Sequence, residues 1–139
     1  MSKIVKVLTI REPWVTLIKS DKKHIETRTW KTNYRGTIYI HAGGARVNKK
    51  DSMIRKALTL IAPTKFTYGH IVLKCNLVDC IRMDKKFVDK IKQNKEEYMC
   101  GMYKEGYYAW ILKDIEVLSN PIKAKGQLGI WNFKLKDEV

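Results

Sequence analysis

Apolar and polar residues alternate along KIVKVLTI, residues 3–10, which predicts a first strand. The spacing then changes. From Glu12 to Ser20 the residues Trp14, Leu17 and Ile18 fall on one helix face, with Pro13 in the first turn, where a missing N–H is tolerated. Alternation returns in HIETRTW, residues 24–30, and in GTIYIHA, residues 36–42, the latter reached through the turn-like NYRG. Asn48 is placed to cap a helix running toward Ile61, with Met53, Ile54, Ala57, Leu58 and Ile61 as its apolar stripe and Pro63 ending it. After a loop at 62–69, residues 69–83 form the longest β-like run, long enough to be bent or bulged. Asp84 caps a short helix carrying Phe87, Val88 and Ile91. Strand patterning then resumes in GYYAWIL, continues through DIEVLSNP and ends in GIWNFKL at 129–135. The result is an α+β, mainly β chain of about six strands and two or three short helices. A closed or nearly closed barrel would remove exposed strand edges. No repeat or composition break divides the chain, so residues 1–139 are expected to form a single domain.

With 45% hydrophobic and 30% charged residues the composition is globular, which sets aside disorder and fibrous repeats. No stretch reaches the roughly 20 apolar residues that span a bilayer, and the first residues meet charge before any signal-like block develops. A soluble, cytoplasmic chain with no membrane association is expected. Cys75, Cys80 and Cys100 are odd in number and lack CxxC spacing, so reduced thiols are expected rather than a disulfide framework or zinc site. The histidines show no metal-like spacing either, and neither a metal nor an organic cofactor is called for.

Charge changes the picture. Lys and Arg number 28 against 14 Asp and Glu, a net +14, and residues 1–56 carry 14 basic and 4 acidic side chains of these totals. Such an excess favours a polyanionic partner, although lysines that merely solubilise a surface give the same sum. Specific residues must decide. Along residues 24–30 a strand would put His24, Glu26, Arg28 and Trp30 on one face, with Lys23 at the preceding turn able to fold over it. An ordinary Glu26–Arg28 pair beside a core tryptophan fits that pattern equally well. For Trp14, Trp110 and Trp131 burial is the expected role, with the tip of Trp14 reaching the cleft. Tyr107 and Tyr108 must face opposite sides of their strand, and His24, His41 and His70 are expected to be structural.

Taken together, LTIREPWVTLI, KKHIETRTW, YRGTIYIHAGG, GYYAWIL and KGQLGIW resemble, in order and spacing, the motifs of ASCH domains, over residues 7–133. The resemblance implies a PUA-like β-barrel flanked by helices, with RNA or a modified nucleoside as ligand. Carried over to this sequence, the cleft residues are Pro13, Trp14, Lys23, Glu26, Arg28, Trp30, Tyr34, Arg35, Gly36 and His41. Their chemistry suits that use. Arg28, Arg35 and Lys23 can contact phosphate or a base edge, Trp14 and Trp30 can stack a base, and Glu26 can accept a proton or a base amino hydrogen.

Three function classes follow. The first is an RNA-binding or nucleotide-binding domain with a basic cleft, with hydrolysis of RNA left open. The second is an amidohydrolase of the kind that removes the acetyl group of N4-acetylcytidine, since some proteins similar to this family do so; Lys23 matches their lysine, but Glu26 stands where they carry threonine. Lys23, Glu26 and Arg28 would be the catalytic residues of either enzyme, a ribonuclease or a nucleoside amidohydrolase, with Glu96 or Glu97 as a second carboxylate. The third is a protein-interaction domain of a transcription or translation assembly. The natural ligand and the oligomeric state have no sequence signature.

Overall fold

The computed structural model describes residues 2–136. In chain order the elements are β1 (Ser2–Ile10), α1 (Trp14–Lys19), β2 (Ile25–Arg28), β3 (Gly36–Ala42), α2 (Ser52–Leu58), β4 (His70–Arg82), α3 (Lys85–Lys92), α4 (Lys95–Met99), β5 (Tyr108–Lys123) and β6 (Ile130–Lys136). The six strands form one sheet in the order β2-β5-β4-β3-β1-β6. Only the β1–β3 pair is parallel. The mainly β, six-stranded architecture is as the sequence implies, whereas the barrel is only partly formed, because β2 and β6 remain edges of an open sheet.

What curls the sheet is legible in its long strands. The β4–β5 ladder shifts register three times, between Ile71 and Leu73, Lys74 and Asn76, and Leu77 and Asp79, and the β3–β4 ladder shifts once. Each bulge adds bend and twist. The curl brings edge strand β2 close to β1, four places away in the sheet, and the gap is bridged by a side chain: the Arg28 guanidinium donates to the Thr9 carbonyl at 2.9 Å.

Inside the curl lies the main core, where Leu8 and Ile10 of β1, Ile38 and Ile40 of β3, Leu73, Cys75 and Leu77 of β4, and Trp110 and Leu112 of β5 meet Val15 and Ile18 of α1. Trp110 is fully buried and Trp131 nearly so, as expected of strand aromatics. Tyr107 and Tyr108 indeed pack into different clusters, on opposite sides of the sheet. All three cysteines are free thiols, with Cys75 and Cys80 on β4.

Several local details differ from the sequence pattern. Strand β2 stops at Arg28 instead of reaching Trp30, since its partner residue Tyr108 is the first of β5 and no ladder exists beyond it. Helix α2 is capped by Asp51, whose carboxylate accepts the N–H groups of Met53 and Ile54; the Asn48 side chain instead accepts the Lys50 N–H, outside the helix. Helix α4 adds a fourth short helix, capped by Asn94 accepting from the Glu97 N–H. No helix among the described residues is long and apolar enough to cross a membrane.

Candidate functional site

Chain direction decides what gathers at each end of the sheet. Because β1 and β3 run parallel, with Ile10 level with Ala42, the segment that follows β1 emerges where β3 finishes. That segment supplies Arg11 and α1. Glu12 secures the helix start: its carboxylate accepts the Thr16 N–H and the Thr16 hydroxyl, both at 2.8 Å. Burial raises the Glu12 pKa, opposed by those two bonds and by the charge of Lys19. Pro13 is buried at the N-cap, and Trp14, half-buried, packs between the main core and the smaller cluster of Leu17, Ala57 and Cys100.

Lys23 follows the turn after α1 and is one of the most buried side chains in the protein, at 1% exposure. Its ammonium donates to the Ile25 carbonyl at 2.6 Å and to the Cys100 carbonyl, and lies 3.4 Å from Glu26 Oε1. The face of the Trp14 ring covers it at 5.7 Å. Glu26, also buried, receives Arg28 on its other oxygen, with Nε and Nη2 each 3.0 Å from Oε2. Lys23, Glu26 and Arg28 thus form one chain of charge, and Arg28 continues it to β1 through Thr9. A buried carboxylate between two cations is paired on both oxygens, the condition under which burial of charge is tolerated.

The turn after α4 closes the other side. The Met102 N–H donates to Thr27 Oγ1 at 2.9 Å, and a Cβ on Gly101 would sit 2.9 Å from the Tyr103 ring and 3.0 Å from Thr27 Cγ2, so only glycine allows so close an approach. Between α1, β2, the start of α2 and this turn a recess of about 270 Å³ remains. Trp14, Lys23 and Glu26 form one wall and floor, Met53, Ile54 and Met102 the apolar remainder, and exposed Arg11 stands at the mouth.

Residues 8–122 match the family model of the ASCH domain. The chain belongs to the ASCH domain family. Over 136 residues, 93% of this chain, it is 24% identical to activating signal cointegrator 1 of Mus musculus, and over 137 residues, again 93%, it is 23% identical to the Homo sapiens protein of that name. The chain spans 22% of the length of each of these relatives.

Within this ASCH domain the residues singled out from sequence do not all meet. Trp14, Lys23 and Glu26 line the recess and Arg28 stands behind Glu26, but Trp30 lies beyond the strand, 37% exposed, edge-on to Trp110 at 4.7 Å. Tyr34, Arg35 and Gly36 are at the opposite end of β3, where Tyr34 donates to the Thr37 carbonyl and Arg35 folds back on the carbonyls of Thr32 and Tyr34, with Asp79 at 3.7 Å. Gly36 takes a φ of +123° beneath the Tyr34 hydroxyl, a turn geometry that needs glycine. His41 is buried in β3 and its ring is saturated: Nε2 donates to the Ala124 carbonyl at 2.7 Å, while Nδ1 accepts from the Thr9 hydroxyl, which itself accepts from the Trp131 indole. Burial lowers the His41 pKa, consistent with this neutral, structural ring.

Sequence reasoning missed much of the apolar lining and the purpose of Glu97. That carboxylate, buried in α4, accepts the His24 backbone N–H, the His24 ring at 2.7 Å and the Tyr103 hydroxyl, and so clamps α4 to the residue before β2. Burial disfavours the charged His24 ring, but its hydrogen bonds to Glu97 and Asp21, with their charges, outweigh it and raise the pKa. The only signal in the sequence was the apolar neighbourhood, Tyr98 and Met99, beside one of two adjacent glutamates.

Proposed function

We propose that this ASCH domain binds RNA, holding one nucleotide unit in the recess beside Trp14. The supporting observation is a partly apolar hollow whose floor carries a preorganised carboxylate and whose mouth carries a cation. Glu26 accepts the Arg28 Nε–H on Oε2, and its Oε1, 3.4 Å from the Lys23 ammonium, keeps lone-pair capacity for a base amino hydrogen. The base lies against Trp14, Met53 and Met102, and Arg11, which pairs with no carboxylate among the described residues, takes a phosphate. The net +14 supplies the long-range attraction.

Binding is favoured over hydrolysis by the state of Lys23. Two buried carbonyls accept from its ammonium and the Glu26 carboxylate lies 3.4 Å away, so the group is engaged with the protein itself and not presented to a substrate. Its role here is to fix the floor of the recess. The relatives are called cointegrators, which keeps a protein-binding role as the competing outcome of the test.

Fluorescence anisotropy with a labelled single-stranded RNA, repeated across a salt series, tests the reading. RNA affinity that weakens steeply with salt, falls on Arg11→Ala and leaves the RNA mass unchanged by mass spectrometry is expected. Absence of salt-dependent affinity, or conversion of RNA or of acetylcytidine to new products, overturns it.

A further inference from the structure

A second basic hollow lies apart from the recess. Strands β3 and β4 cease to pair at Ala42 and His70, and the segments beyond, residues 43–50 and 62–69, leave the sheet together at the end from which Arg11 and α1 also emerge. Between them is a hollow of about 740 Å³, within the range of small-ligand sites, and it shares no lining residue with the recess. Its cations are Arg46, Lys49 and Lys65, with His70 alongside, and no carboxylate lines it. Residues 43–70 hold six Lys or Arg and one acid, Asp51, whose carboxylate is taken by the N-terminus of α2. None of Arg46, Lys49 and Lys65 pairs with a carboxylate among the described residues.

The aromatic residues here are organised rather than scattered. Tyr68 joins the two segments, its hydroxyl accepting the Val47 N–H at 3.1 Å, and the Arg46 guanidinium lies over its ring at 4.2 Å. The Phe66 ring, half-buried, sits 6.0 Å from Tyr68. A planar cation fixed over an aromatic ring, next to a second partly open ring and two lysines, suits alternating phosphate and base. A plain acidic surface would make no use of Phe66.

We infer that residues 46–49 and 64–70 form a second, separate contact for single-stranded nucleic acid, with successive phosphates on Arg46, Lys49 and Lys65, one to each, and a base against Phe66. This inference does not depend on ligand binding in the recess. If both hold, one strand passes from one hollow to the other along residues 46–54, in which Arg46, Val47 and Lys49 line the second hollow and Asp51, Met53 and Ile54 the recess.

The test uses the whole chain and a labelled oligouridylate of roughly twelve nucleotides, long enough to span such contacts. Three variants are compared: the triple Arg46→Ala/Lys49→Ala/Lys65→Ala, Phe66→Ala, and Arg11→Ala at the recess, each checked for native circular dichroism. The triple variant is expected to lower the slope of log affinity against log salt by about 2, at about 0.7 per lost phosphate contact on a single strand. Phe66→Ala is expected to weaken binding about tenfold with the slope unchanged. Unaltered affinity and slope in the triple variant overturn the inference whatever Arg11→Ala does, whereas losses in these variants with none in Arg11→Ala uphold it and remove the recess. A polyglutamate peptide that binds as tightly as the RNA and ignores Phe66→Ala also overturns it, and marks a surface for acidic proteins.

Discussion

Replacing Lys23 by methionine keeps the unbranched stem, one atom shorter, and deletes the charge, which isolates what the buried ammonium does. Glu26, at 7% exposure, would be left with Arg28 as its only cation, and the carbonyls of Ile25 and Cys100 would lose their buried donor. Removing one partner of a buried pair costs about 3–5 kcal/mol, and an orphaned carbonyl about 1–3 kcal/mol more unless water reaches it. A loss of about 3–5 kcal/mol is therefore the conservative expectation, a large part of the roughly 5–15 kcal/mol that holds a domain together. For a chain of this length that lowers Tm by about 10–17 °C. Urea unfolding followed by tryptophan fluorescence, with calorimetry, measures it. Adding Glu26→Gln to Lys23→Met should restore part of the loss by removing the stranded charge, a non-additivity that a double-mutant cycle reads directly. A loss below about 1 kcal/mol, the size for an exposed pair, would refute the reasoning.

Other outcomes follow from the same geometry. In a histidine NMR titration, His24 should titrate above 6.5 and His41 below it. By linkage, His41 contributes stability that is present above pH 6.5 and lost as pH falls through its lowered value, whereas that of His24 is present below 6.5 and lost as pH rises through its raised one; the reversed order of midpoints contradicts both assignments. Burial pushes the Cys75 thiol up to about 12 and the Cys100 thiol up to about 11, so iodoacetamide should label only the half-buried Cys80 on the native chain and all three thiols after unfolding. Labelling of Cys100 as fast as Cys80 would mean that the turn after α4 is not docked. Gly101→Ala forces that turn away from Thr27 and Tyr103, and should cost about 1–3 kcal/mol while weakening RNA binding; an unchanged Tm and affinity would count against the close packing described.

The strands were legible because alternation is a local property, and it marked all six. The extent of β2 was not, because it depends on where β5 begins, and Tyr108 is far away in sequence. Helix α4 has only five residues, too few for a periodic signal, and its Asn94 cap resembles any polar turn. Among the site candidates, grouping by motif could not convey chain direction. Gly36 and Ala42 are both on β3, yet about 20 Å of extended strand separates Tyr34 and Arg35 from the end where α1 emerges. The sequence motif therefore spans two ends of one sheet. The proximity of Lys23, Glu26 and Arg28 could be read from their spacing, but the burial of Lys23 could not, since it arises from the Cys100 carbonyl and the Trp14 ring.

Titrating a short single-stranded RNA into the isotopically labelled protein and following backbone and indole N–H resonances tests RNA binding in the recess most directly. Binding there should shift Arg11, Thr27, Gly101, Met102 and the Trp14 indole in proportion to occupancy. Shifts that spare all five, with RNA bound, would place the ligand elsewhere and contradict the proposed function.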